Sequence, residues 1–162
     1  MFIQWKEEFA LGNALIDTQH RMLMMLCRKL DIAIKTGQPH RTIQRVMLEV
    51  KKFTEFHFIS EQNLMHEIGY PHVERHSRVH TELLIEIQVQ LSRIHHNVEF
   101  PEDVLYALNE WFSAHVMNED LPIAQYVKTS SQRPIGEDLY ENFLLQTIQG
   151  QEAAKGTEGN PG

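Results

Sequence analysis

The chain is poor in everything that would staple, export or anchor it. Its one cysteine, Cys27, cannot close a disulfide within the chain, which excludes the cross-linked scaffolds of small secreted domains and fits a reduced, cytoplasmic setting. No apolar run approaches the roughly 18 residues of a membrane-spanning helix, so membrane insertion is not expected. The start, MFIQWKEEFALG, has acids where an export signal has a basic end and an apolar stretch. Basic residues are the minority, 15 Lys and Arg against 22 Asp and Glu, for a formal charge of -7. Without clustered cations there is nothing to meet a phosphate backbone, and a nucleic-acid partner is excluded. Proline and glycine number only six and eight, and they fall mostly between candidate helices or at the end.

What is present is a helical pattern. At 162 residues and 42% hydrophobic the chain can bury one core, and its apolar positions recur every three or four residues in four long segments. These run from about Leu15 to Thr36, from about Arg41 to Ile68, from near Pro71 or His72 to HHNVEFP, and from Pro101 to at least His115. Gly37, Pro39 and the sequence GYP supply the stops, and proline is favourable in a first helical turn. Four helices with short connections predict an all-α fold, an antiparallel up-down four-helix bundle. An N-terminal extended arm, Met1 to Ala14, precedes it and offers Phe2, Trp5 and Phe9 for packing across the bundle. After Lys128, TSSQRP reads as a linker, and Leu139, Tyr140, Phe143, Leu144 and Ile148 line one face of a short extra C-terminal helix within 136–149. The expected organisation is a bundle over 1–127, linker and helix over 128–149, and a flexible tail over 150–162.

Written out, the seams raise a question of chemistry. The first helix reads Ile16, His20, Leu23, Cys27, Leu30, Ile34, and the second Val46, Val50, Phe53, His57, Glu61, Leu64, Ile68. The third reads Val73, His76, His80, Leu83, Ile87, Leu91, Ile94, and the fourth Val104, Leu108, Trp111, His115. Polar side chains stand where core residues belong. The pairs His57/Glu61 and His76/His80, four residues apart, each share a helix face. A lone buried histidine reads as a neutral ring satisfied by hydrogen bonds. Five are different: each polar group buried without a partner costs roughly 1–3 kcal/mol, and folding free energies are small. A metal removes the cost by bonding the lone pairs.

Counting Asp120 with these groups gives seven donors, too many for one tetrahedral zinc, so two metals are implied. With both carboxylates and a solvent-derived oxygen as bridges, five histidines cannot divide equally between two octahedra. One metal is complete with three, and the other keeps a vacant position with two. A nitrogen-rich site with bridging carboxylates suits iron better than copper, manganese or magnesium.

The segments WKEEFALGNALIDTQHRML, HFISEQNLMHEIGYPHVERHSRVH and WFSAHVMNEDL resemble the signature segments of the hemerythrin family in its bacterial form, over about residues 2 to 127. The resemblance implies two non-haem irons with a bridging oxo or hydroxo group, His76, His80 and His115 on the six-coordinate iron, His20 and His57 on the five-coordinate one, and Glu61 and Asp120 as bridges. It also implies that dioxygen binds at the vacant position and is held reversibly as hydroperoxide. Asp120 rests on this resemblance, because five residues after His115 an ideal helix has turned about 140°. The chain must bend or unwind there, and MNEDLP is a plausible place.

Reversible binding needs a dry pocket, for which Leu23, Phe58, Leu83, Trp111, Phe112 and Val116 are candidate walls as well as ordinary core. Phe112 stands where a leucine is common in the family, and Gln62 where a second acid is. Asp17 and Gln19 flank His20, and a supporting contact to a ligand is open to either, with helix capping the more economical role for Asp17. His40, His66, His72, His95 and His96 read as exposed, Cys27 as a small core residue, and Met22, Met24, Met25 and Met47 as packing. The expected function is oxygen carriage, storage or delivery, not catalysis. The alternative is an oxygen or redox sensor acting through 136–149 on a partner or second copy. A diiron oxidase or peroxidase ranks lower because the Glu-x-x-His pairs of ferritin-like enzymes are absent, and iron storage would need more than two irons per chain.

Overall fold

The structure, a computed structural model, describes residues 5–95 and 101–129. The expected C-terminal helix and tail lie outside these residues, as do the expected linker from residue 130 on, Phe2, His96 and the side chain of His95, whereas Lys128 and Thr129, expected in the linker, are helical. Four helices form the antiparallel bundle: α1 (Ala14–Lys35), α2 (His40–Glu67), α3 (Val73–His95) and α4 (Pro101–His115). A π turn (Val116–Asp120) then leads into α5 (Leu121–Thr129), a helix the sequence reading had not separated from α4.

The stops act through glycine. Gly37 and Gly69 have φ of 64° and 66°, the left-handed region that Gly enters without steric cost. At each, two backbone bonds close the helix end: Gln38 N–H to the Ala33 carbonyl and Gly37 N–H to Ile34, then Tyr70 N–H to Met65 and Gly69 N–H to His66. The start of α1 differs from expectation. Asn13 is its cap, accepting the Ile16 N–H at 3.1 Å, whereas Asp17 accepts the N–H groups of Leu11 (2.7 Å) and Gly12 (3.1 Å). Asp17 lies a full turn inside the helix, too far along to cap it, and its carboxylate instead ties down the arm.

The arm is not wholly extended, since Glu7–Phe9 make one 3-10 turn. Phe9 is buried with Leu23, Met24, Phe112 and Val116, and Trp5 packs against the same cluster. Arg21 lies 4.2 Å above the Trp5 ring.

Away from the arm, one end of the bundle is largely apolar, with Leu30, Ile34, Val46, Met47, Ile87, Ile94 and Leu108 in one cluster, although Asp31 and Gln90 are also buried there. A second cluster caps the other end, where Ile123 and Ala124 of α5 pack on Leu11, Ile16, Leu64, Met65 and Ile68. Burial of such side chains is worth roughly 1.5–3 kcal/mol each. Cys27 is buried, and desolvation pushes its thiol up to about 12, which makes it inert. Met24 and Met47 are buried, but Met22 and Met25 are exposed, because they fall on the outer face of α1. His66 and His72 are exposed. His40 is half-buried instead, its ring hydrogen-bonded to the Ile94 carbonyl, so it joins the start of α2 to the end of α3.

Candidate metal centre

Between the two apolar ends, α1, α2, α3 and the α4–π segment bring seven polar side chains together. His20, His57, Glu61, His76, His80, His115 and Asp120 are all buried, Glu61 at 1% and Asp120 at 0% exposure. They fall into two groups of metal-ligating geometry: Glu61, His76, His80, His115 and Asp120 in one, and His20, His57, Glu61 and Asp120 in the other. Both carboxylates belong to both.

The distances show how the sharing works. Glu61 turns Oε1 toward His20 Nε2 and His57 Nε2, each at 3.7 Å, and Oε2 toward His76 Nε2 at 3.6 Å and His80 Nε2 at 3.2 Å. Asp120 does the same, with Oδ2 at 3.4 Å from His20 and Oδ1 at 3.5 Å from His76 and 3.1 Å from His115. One oxygen of each carboxylate therefore serves each group. The Nε2 atoms of His76 and His80 are 2.8 Å apart, and those of His80 and His115 3.2 Å. Adjacent donors around one small octahedral cation with bonds of about 2.1 Å are separated by about 3 Å.

The π turn delivers Asp120. The Leu121 N–H donates to the Val116 carbonyl five residues back, so this turn holds one residue more than an α turn and returns Asp120 to the face of His115. Pro122, with no N–H, interrupts the α ladder at the same point.

Hydrogen bonding leaves much of the set unpaired. Both oxygens of Glu61 and of Asp120, both ring nitrogens of His20, and Nδ1 of His80 and His115 are buried without a partner. Buried polar atoms of native proteins are nearly all paired, so the cluster fits a cation placed among them. His57 is the oriented member: its Nδ1–H donates to Gln19 Oε1 at 3.1 Å, and Gln19 Nε2 donates to Ser60 Oγ at 3.1 Å. That bond leaves the Nε2 lone pair of His57 facing inward.

Protonation suits the same role. Burial holds His57 down at about 4 against its neighbouring carboxylate, and burial lowers His80 too, so both rings are neutral near pH 7. Burial opposes ionisation of Glu61, yet the surrounding imidazoles, His57 foremost, hold it well below the usual range. In Asp120, burial and the charge of Glu61 are outweighed by His115 and His20, and the net shift is downward. His115 moves the other way: burial would lower it, but Asp120 raises it overall. Metal ligands are charged carboxylates and neutral imidazoles, the states these shifts favour in every one of these groups but His115.

Aromatic rings enclose the cluster. Phe58 stacks on His80, centroids 3.7 Å apart and planes at 4°, Phe112 meets His20 edge-on at 5.8 Å, and Trp111 lies along His115 at 5.9 Å. Leu23 and Val116 share the apolar cluster of Phe112. Leu83, three residues beyond His80 on α3, is half-buried.

Residues 11–127 match the protein family described as Hemerythrin HHE cation binding domain. The chain belongs to the hemerythrin family. It is 28% identical over 144 residues to a bacteriohemerythrin of Stenotrophomonas maltophilia (strain R551-3), a match covering 89% of this chain and 94% of that one. A bacteriohemerythrin of Campylobacter jejuni subsp. jejuni (serotype O:23/36, strain 81-176) is 26% identical over 118 residues, 72% of this chain and 89% of its own. The bundle also resembles the crystal structure of wild-type hemerythrin, with a TM-score of 0.71 at 20% identity, over 77% of this chain and 97% of that one. Four helices enclosing a histidine and carboxylate cluster are thus the hemerythrin fold. No helix among the described residues is long and apolar enough to cross a membrane.

Proposed function

We propose that this hemerythrin-family chain binds dioxygen reversibly at two non-haem irons, as an oxygen carrier, store or delivery protein and not as a catalyst. The observation that carries this reading is unequal sharing: two carboxylates each offer one oxygen to each of two donor groups, which hold three and two imidazoles. His76, His80 and His115 would complete one iron, His20 and His57 would leave the other a position short, and Glu61 and Asp120 would bridge. When bound, with an oxo or hydroxo bridge, the iron pair supplies two electrons and an open position for dioxygen.

The protein's own share is orientation and dryness. Gln19 fixes the ring of His57, and the π turn fixes the reach of Asp120. The rings of Phe58, Trp111 and Phe112, with Leu23 and Val116 behind them, keep water out of the site. The test is an anaerobic optical titration with an iron count. Two irons per chain and a visible charge-transfer band that comes and goes with oxygen are expected. Direct passage to a stable oxidised spectrum would sink the carrier reading in favour of a redox sensor or oxidase.

A further inference from the structure

Seven of the eleven large apolar side chains left exposed among the described residues lie on α1 and α2. Five of them, Leu15, Met22, Met25, Phe56 and Ile59, are between 40% and 64% exposed. Helical spacing gathers them: Leu15, Met22 and Met25 follow one stripe of α1, and Phe56 and Ile59 one stripe of α2. Two contacts fix the register of the helices, Gln19 to Ser60 and Lys29 to Glu49, and this register puts Met22 level with Phe56. Single exposed apolar residues are ordinary, but a continuous face marks a contact surface.

The sequence beyond the described residues matches that face. α5 ends at Thr129, beside the start of α1 and the end of α2, held there by Ile123 on Ile16 and Met65 and by the Tyr126 hydroxyl donating to the Gly69 carbonyl. Residues 130–135 can span about 20 Å, and 136–149 would make a helix about 21 Å long, against about 15 Å from Leu15 to Met25. The charges also match. Lys52 lies one turn before Phe56 on the same stripe and shares the carboxylate of Glu55 with Lys51, while 136–149 carries Glu137, Asp138 and Glu141 and no Lys or Arg. A 144-residue match to the Stenotrophomonas relative must run past Thr129 into this segment, so that relative carries a counterpart of it.

We propose that residues 136–149 dock as an amphipathic helix on the outer face of the α1–α2 hairpin of their own chain, laying Leu139, Phe143 and Leu144 across Met22, Phe56 and Ile59. The experiment is amide hydrogen exchange on the full-length, metal-loaded protein. Amides of 139–148 are expected to exchange at least tenfold slower than a random coil. Combining Met25→Glu with Phe56→Glu returns them to coil rates at unchanged iron content and helicity, and Leu144→Glu on the segment itself does the same. Coil rates in the unsubstituted protein overturn the proposal, as does protection that survives both sets of substitutions. Protection that grows with protein concentration, with a dimer in sedimentation, overturns it in favour of a second copy as the occupant.

Discussion

The same four helices, with the same three-and-four spacing, build two unlike halves. Around Leu30 and Met47 the inward positions are mostly apolar and packed together, whereas around Glu61 and Asp120 the inward positions are polar and eight of their nitrogen and oxygen atoms lack a hydrogen-bond partner. The apolar half lowers the free energy of the fold by itself. The polar half raises it until something occupies it, so fold stability and ligand-site chemistry are separable along one set of helices, and each half should respond to a different intervention.

The largest contrast comes from removing the metal. If the cluster binds iron only when folded, loading at about a thousandfold above the dissociation constant adds about 4 kcal/mol, and Tm should fall by about 8–16 °C on chelation. Calorimetry with and without two irons per chain checks this, and an unchanged Tm would contradict iron held by these residues. The two halves should next respond to substitution with opposite signs. Leu30→Ala should cost about 3 kcal/mol in metal-free and loaded protein alike, with iron content unchanged. His20→Leu removes two unpaired buried nitrogens, so it should stabilise the metal-free protein by about 1–3 kcal/mol while iron falls below two per chain. Urea titrations with an iron assay separate the two cases.

Acid comes next and acts on the groups of the polar half. The folded-state value of His57 is lowered from 6.5 to about 4, so an unfolded chain binds its proton first. Its contribution is complete above pH 6.5 and lost as pH falls toward 4, about 3 kcal/mol in all. Glu61 and Asp120 are also lowered, and their contributions go only at more acidic pH. His115 is raised and has the opposite sign, with stability present below 6.5 and lost as pH rises. Urea midpoints of metal-free protein at pH 7.5, 5.5 and 4.5 should fall, and His57→Leu should flatten the decline. The smallest effect should come from Gln19→Ala, which leaves the cluster intact but frees the ring of His57. A tenfold to hundredfold weaker hold on iron is expected, read as faster loss to a chelator, and an unchanged rate would reduce Gln19 to packing.

The bundle and the positions of the histidines were legible because both rest on periodicity. A seam reading His76, His80 or His57, Glu61 states which side chains share a face, and burial follows from its apolar neighbours. Contacts that depend on one side chain's reach were not legible. Asn13 and Asp17 are both good capping residues by type, and only the path of the arm decides that Asn13 caps while Asp17 binds Leu11 and Gly12. His40 carried no seam signal, because its partner is a backbone carbonyl 54 residues away. α5 was not separated because MNEDLP, with Pro122, marked only a bend, although a proline in the first turn of a helix lets a new helix start there. The step of five from His115 to Asp120 was visible as a break in phase, and the π turn is its physical form.

That turn is a one-residue insertion absorbed in place. Deleting one residue from 117–119 would close it to an ordinary α turn and put Asp120 four residues after His115, about 40° round the axis and on the same face. Ile123 and Ala124 would keep their seat on Ile16 and Met65. A further inserted residue would instead turn Asp120 and all that follows by about 100°, so the carboxylate shared by both donor groups and the apolar seal over one end of the bundle stand or fall together.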